Sequence, residues 1–269
     1  MKSFVFDDAG SRLRYLEFEG RGCPLIVIHG LGCASSFEYP HVALAPALKG
    51  RHIFLVDLPG FGYSDRPAHF GYRVEDHARV VARFVQEMNF VEVDLFGHSM
   101  GGSVAIEAAD MLGSRVASLV LAEANLDSGG GEGSRNINGT SGGEGGYIES
   151  GHTLMLATQI DTGHHGYAAT MRAAYPAAVY RSAKSLVDGT TPSWRARFLQ
   201  HPAKKAYIFG DRSLPDPDKD VLAAEGIQVL IVQEAGHQMG LDNPVGLAVA
   251  IAQSIAPVSQ VSMQAFTQV

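Results

Sequence analysis

The chain has 269 residues, 46% of them hydrophobic and 18% charged, which excludes a disordered chain and suits one large α/β domain or two small ones. Its net charge of −7 argues against nucleic acid as a partner, because phosphates need Lys and Arg to neutralise them. Two cysteines, Cys23 and Cys33, make no disulfide framework, and the 31 glycines exceed the ordinary share of about 7%.

The first eight residues carry Asp7 and Asp8 where a leader would be apolar. The late apolar run, 245–255, is shorter than a membrane span. A cytoplasmic chain with no membrane span is expected. Residues 3–6 and 13–18 suit a hairpin at a sheet edge. Short apolar runs then recur, each ending at Gly or a polar residue, as buried parallel strands do. They are 25–28 into His29-Gly30, 52–56 into Asp57-Leu58-Pro59-Gly60, and 91–96 into Gly97-His98-Ser99. Further on come 116–121 into Ala122-Glu123, 206–209 into Gly210-Asp211, and 228–232 into a segment ending Ala235-Gly236-His237. Helical patterns at 74–88, 101–112 and 244–255 alternate with them, which predicts a mostly parallel sheet with helices on both faces. Residues 128–146 hold nine glycines in 19 positions and read as a flexible loop, a hinge or entrance flap. Helical patterns fill 147–199. We expect a core of 1–126 and 201–269, and a glycine-rich loop with a helical lid insertion at 127–200.

Gly97-His98-Ser99-Met100-Gly101 lies between a strand and a helix, the setting in which G-x-S-x-G is a nucleophile elbow. A sharp turn lifts the Ser99 hydroxyl above the sheet edge, and Gly97 and Gly101 lack the Cβ atoms that would collide across it. The same turn puts the Met100 N–H at a helix N-terminus, where an oxyanion is stabilised. An ordinary Gly-Ser turn would need neither the strand nor the helix. A dinucleotide-binding loop fails because no G-x-G-x-x-G follows a strand.

With the His29-Gly30-Leu31-Gly32 turn, the Asp57-Leu58-Pro59-Gly60-Phe61-Gly62-Tyr63-Ser64 turn and Ala235-Gly236-His237 in that order, the chain resembles the α/β-hydrolases along nearly its whole length. The Asp57 turn resembles the family's D-x-P-G-x-G-x-S loop and is read as structural. The resemblance implies that Ser99 is the nucleophile and that His237, after the last strand, is the general base it needs. It also implies that the Leu31 N–H joins the Met100 N–H in the oxyanion hole. His98 is read as a support for the turn, and His41, His52, His69, His77 and His201 as packed or surface residues.

The acid is displaced. The family's usual place, in a G-x-x-D after the strand before the base strand, holds Ser213 here. Asp211 lies early and Asp216 late. A second family solution puts the acid after the strand that follows the nucleophile helix, where this chain has Glu123. This resembles haloalkane dehalogenases and zearalenone-type lactonases. The 24 residues from Ser99 to Glu123 fit one helix and one strand. Glu123 ranks first, Asp211 second and Asp127 third. The acid would hold the His237 tautomer and stabilise imidazolium. Ser99 stands where dehalogenases need Asp, so acyl chemistry is the natural fit.

Tyr147, Tyr167, Tyr175, Tyr180, Trp194, Phe198, Met155, Leu156 and Met171 offer an apolar lining for the insertion, with Arg172 and Arg181 able to meet a carboxylate. His152, His164 and His165 lack metal-ligand spacing, so neither metal nor cofactor is expected. The expected activity is a serine hydrolase of a carboxylic ester or lactone of a hydrophobic small molecule. A carbon–carbon bond hydrolase with the same triad and a slow-turnover small-ligand receptor are the alternatives. The partners expected are the small-molecule substrate and, as an option, a second copy in a homodimer.

Overall fold

The computed structural model describes residues 1–255, so the final part of the 201–269 core segment and of any expectation placed there lies outside the described residues. Eight strands form one sheet: β1 (Lys2–Val5), β2 (Arg12–Phe18), β3 (Arg21–Ile28), β4 (Arg51–Asp57), β5 (Val93–His98), β6 (Val116–Ala122), β7 (Lys204–Gly210) and β8 (Gln228–Val232). Their spatial order is β1-β2-β4-β3-β5-β6-β7-β8. The first two strands pair antiparallel with each other, and β2 pairs antiparallel with β4. From β4 to β8 all pairings are parallel. The α/β fold and the edge hairpin are thus as expected.

The sequence patterns explain this layout. The apolar second half of β3 and all of β5 are buried on both faces, as a parallel sheet between two helical layers demands. β2, one strand in from the edge strand β1, instead alternates in burial along its first half, as a strand with one half-covered face does. The helices Val74–Glu87 and Met100–Leu112 pack on one face, in a cluster with Phe54, Phe84, Val104 and Leu121. The helix Pro244–Ser254 packs on the other, with Phe96, Val120, Ile208 and Leu247.

Topology decides where a ligand sits. From β3 the chain crosses to β4 on one side, then returns to β5 on the other. Open α/β sheets bind ligands in the crevice at such a reversal, beyond the carboxyl ends of the strands. Here that crevice receives the loops after β3 and β5, which carry Leu31 and Ser99.

Between β6 and β7 the chain forms helices only, among them Glu132–Asn138, His152–Asp161, His165–Ala173, Pro176–Asp188 and Trp194–Gln200. The glycine-rich stretch departs from the loop expected of it. Its middle is a helix in which Ser134 and Ile137 are buried, packed against the Pro176–Asp188 helix. Tertiary burial of Ile137 outweighs the low helix propensity of the flanking glycines. Gly129, Gly130, Gly142 and Gly143 have positive φ, so the loop character is confined to the turns around it.

Candidate active site

The elbow is built by steric necessity. β5 ends at His98, and Ser99 turns the chain with φ 53° and ψ −122° before the helix Met100–Leu112 begins. A side chain forced into that region costs about 1–3 kcal/mol. Its neighbours hold it there: Ser99 N–H donates to the Ala122 carbonyl at 2.9 Å, and Gly102 N–H donates to the Ser99 carbonyl at 2.9 Å. A Cβ on Gly97 would collide with the Gly101 backbone, and one on Gly101 with the carbonyls of Ile28 and His29. The two turns at the carboxyl edge therefore pack backbone against backbone.

Glu123, immediately after β6, is the next residue forced to positive φ, at 40°. Its N–H donates to the Ile208 carbonyl at 3.1 Å, which ties it to β7. The side chain then reaches across that strand end. Oε1 accepts the Gly210 N–H at 2.8 Å, and Oε2 lies 2.6 Å from His237 Nδ1. Burial alone would raise its pKa. The hydrogen bond and charge of His237 and the Gly210 amide outweigh burial and hold the carboxyl below its ordinary value. Glu123 is 10% exposed and His237 49%, so the pair runs from the core to the mouth of the site.

The rival carboxylates are engaged elsewhere. Asp211 Oδ1 accepts the Ala235 N–H at 2.9 Å, and that bond together with other backbone amides keeps its pKa low. Asp127 pairs with Arg195 at 2.6 Å. Neither forms a hydrogen bond with His237.

Ser99, Leu31, Glu123 and His237 line one cavity of about 530 Å³. Met100, fully buried, opens the helix Met100–Leu112, so its N–H is among the four amides a helix leaves without an internal partner. The Leu31 turn is held from above: Tyr167 Oη donates to the Leu31 carbonyl at 3.1 Å. It is held from below by His29, whose Nδ1 lies 2.8 Å from the Gly30 carbonyl and whose Nε2 accepts the Leu58 N–H at 3.0 Å. Asp57 is wholly buried and accepts the Ser36 and Tyr63 amides, so this loop braces the site without facing it.

The cavity wall differs from the apolar lining expected. Of the aromatic and methionine candidates at 147–198, only Tyr167 lines it. Trp194 turns into the core, where its indole N–H donates to Glu107 on the helix Met100–Leu112 at 2.8 Å. Phe198 and Tyr147 are buried in the same main cluster. Arg181 pairs with Glu144, and neither it nor Arg172 lines the cavity. Residues not singled out from sequence take their place, Asn125, Glu132, Ser134, Gln159, Asp218 and Gln238, together with Asp216, which sequence weighed only as a late position for the acid. His164 also lines the wall, whereas His152 bonds Tyr147 Oη at 3.1 Å. No group of three His, Cys, Asp or Glu side chains close enough to hold a metal ion occurs among the described residues. No helix among them is long and apolar enough to cross a membrane.

These elements match known proteins. A model of the alpha/beta hydrolase fold matches residues 24–237, and the chain belongs to that family. Haloalkane dehalogenase 2 of Mycobacterium tuberculosis is 34% identical over 116 residues, 43% of this chain and 40% of that protein. The 2-hydroxymuconate semialdehyde hydrolase of Pseudomonas sp. (strain CF600) is 34% identical over 110 residues, 39% of this chain and 38% of its own. The chain thus spans about two fifths of the length of the curated relatives it matches. Among solved structures, an esterase from Exiguobacterium antarcticum is similar with a TM-score of 0.78 at 19% identity, covering 94% of this chain and 100% of that one. The N-acyl homoserine lactonase AidH is similar with a TM-score of 0.74 at 18% identity, covering 97% of this chain and 98% of its own. At such identities the likeness is one of fold.

Proposed function

We propose that the protein is a serine hydrolase of carboxylic esters or lactones. The observation that carries this reading is the 2.6 Å contact of Glu123 with His237 Nδ1, in the cavity that Ser99 also lines. Ser99 Oγ attacks the substrate carbonyl while His237 Nε2 takes its proton. The amides of Leu31 and Met100 receive the negative charge that develops on the carbonyl oxygen. Collapse expels the alkoxide, which leaves with the proton from His237. A water then attacks the acyl-enzyme, gives its proton to His237, and releases the acid and Ser99. In a lactone the alcohol stays tethered, and the product is a hydroxy acid. Glu123 keeps Nδ1 protonated and stabilises the imidazolium between steps. Segment 127–200 acts as the lid, through Gln159, His164 and Tyr167 on the cavity wall.

The wall also bears on the substrate. It carries Glu132, Asp216 and Asp218 beside Glu123, and no Lys or Arg among the described residues. Arg195 offsets Asp218 at 2.9 Å, but it also holds Asp127. A field of that sign repels carboxylates. It favours a neutral ester or lactone over an anionic substrate such as a muconate semialdehyde, which the relative with that name acts on. The test is hydrolysis of p-nitrophenyl acetate and butyrate beside a carboxylate-bearing ester of equal length. The neutral esters should turn over at least about tenfold faster, and Ser99→Ala should lower kcat by about 10⁴ or more. Wild-type rates in Ser99→Ala would refute the reading. Labelling of Ser99 by a fluorophosphonate without turnover of any ester would favour the receptor alternative.

A further inference from the structure

Behind the nucleophile lies a buried polar cluster that the triad does not use. Nine buried side-chain polar atoms among the described residues make no well-formed hydrogen bond, and six of them gather here: both oxygens of Glu38, both ring nitrogens of His98, Tyr39 Oη and Gln238 Oε1; Cys33 and Tyr39 meet the Glu38 carboxyl only in looser contacts. Glu38 ends the short helix Ser35–Glu38 and is 2% exposed. Its Oε1 lies 4.0 Å from His98 Nδ1. The His98 ring in turn lies against that of His237, with centroids 4.7 Å apart. His98 and Gln238 both line the catalytic cavity. Poorly paired buried polar groups are costly and rare, and apolar side chains of the same shape would pack this corner at less cost. Their concentration under one histidine points to a role there.

We propose that Glu38 is a positioning residue of the active site, a buried carboxyl that acts on His237 from behind across the His98 ring. The proposal rests on the hydrolase reading above. Burial pushes the Glu38 carboxyl up to about 7, against the opposing influence of Cys33, His237 and Tyr39. Burial and the charge of His237 push His98 down to about 3, so it stays neutral and cannot compensate Glu38. The other titratable groups facing Glu38 are Cys33, Tyr39 and Tyr167, and burial holds each of them well above its ordinary value and therefore neutral. Asp57 holds the Ser36 amide at the start of the same helix, and Asp242 holds the Gly236 amide beside His237. On its far side His237 faces Glu123, which is ionised throughout. Glu38 is thus the group behind His237 whose charge changes near neutrality. Ionised, it attracts the His237 proton; neutral, it does not.

The test is the rate of Ser99 labelling by a fluorophosphonate, measured from pH 5 to 9 for wild type, Glu38→Gln and Glu38→Asp. Removal of the charge should shift the midpoint of the acidic limb to lower pH by a few tenths of a unit, because a carboxyl at about 7 is only partly ionised there. Glu38→Asp should restore the wild-type midpoint. A Glu38→Gln profile that keeps the wild-type midpoint, with only a uniform loss of rate, would overturn the proposal. In wild type the His237 ring protons, followed by NMR, should report the ionisation of Glu38 as an inflection near pH 7 that Glu38→Gln lacks. Its absence would overturn the proposal even if Glu38→Gln failed to fold. Failure of wild type to label at any pH would instead defeat the hydrolase reading, while the NMR titration would still report on Glu38.

Discussion

Glu123 and Asp211 stand one residue beyond neighbouring strands, β6 and β7, at the same edge of the sheet. Both carboxylates accept a backbone amide, Gly210 for one and Ala235 for the other. Their free oxygens differ. Glu123 has one more methylene and a backbone turned to positive φ, and its second oxygen meets His237. Asp211 sits in a short turn, Asp211–Ser213, and also takes the amides around Glu234 and Arg212, so it holds the base loop by its backbone. One carboxylate thus faces the imidazole and the other shapes the loop that presents it. Proximity to His237 in sequence order is no guide to which is which.

Substitution should separate the two most sharply in rate. Glu123→Ala should lower kcat/KM for a neutral ester by about 10³ to 10⁴, the scale on which an orienting carboxylate matters in a Ser-His-acid triad. Asp211→Ala should change kcat/KM only a few fold while lowering the unfolding temperature. Kinetics and thermal melts on the pair check this. Equal activity losses would mean that the loop and the acid cannot be told apart, and a silent Glu123→Ala would break the comparison.

A smaller effect concerns stability against pH. The folded pKa of Glu123 lies below its ordinary 4.5, so ionisation favours the folded state. That contribution is complete above about pH 4.5 and is lost as pH falls through the folded value. The difference in unfolding temperature between wild type and Glu123→Gln should therefore hold at neutral and mildly acid pH and shrink as pH falls below the ordinary 4.5 and through the folded value. A difference that widened with acid would mean that Glu123 binds a proton more tightly in the folded chain.

The frame of the molecule was legible in the sequence because each part had its own period or turn chemistry. Runs such as 228–232 match their strand, and the glycines of the elbow mark a turn that only they fit. The parallel sheet and the place of Ser99 at its carboxyl edge followed from there, whereas the order of strands across the sheet is set by tertiary pairing. The interior of segment 127–200 was not legible. Trp194, Phe198 and Tyr147 are apolar on helices with two possible neighbours, sheet and cavity, and sequence pattern does not say which one an apolar face meets. The helix at Glu132–Asn138 was hidden by its glycines, since burial of Ile137 rather than local propensity supports it. Glu38 lay in no motif. The signal that marks it is tertiary: a carboxyl on a four-residue helix that the fold buries against His98.

The account turns on one arrangement, and a crystal structure of the protein with a phosphonate bonded to Ser99 tests it most directly. The account predicts phosphorus on Ser99 Oγ, its oxygen within hydrogen-bond reach of the Leu31 and Met100 amides, and His237 bridging from the adduct to Glu123 Oε2. An adduct in which His237 turns to Asp211, or whose oxygen meets neither amide, would contradict it.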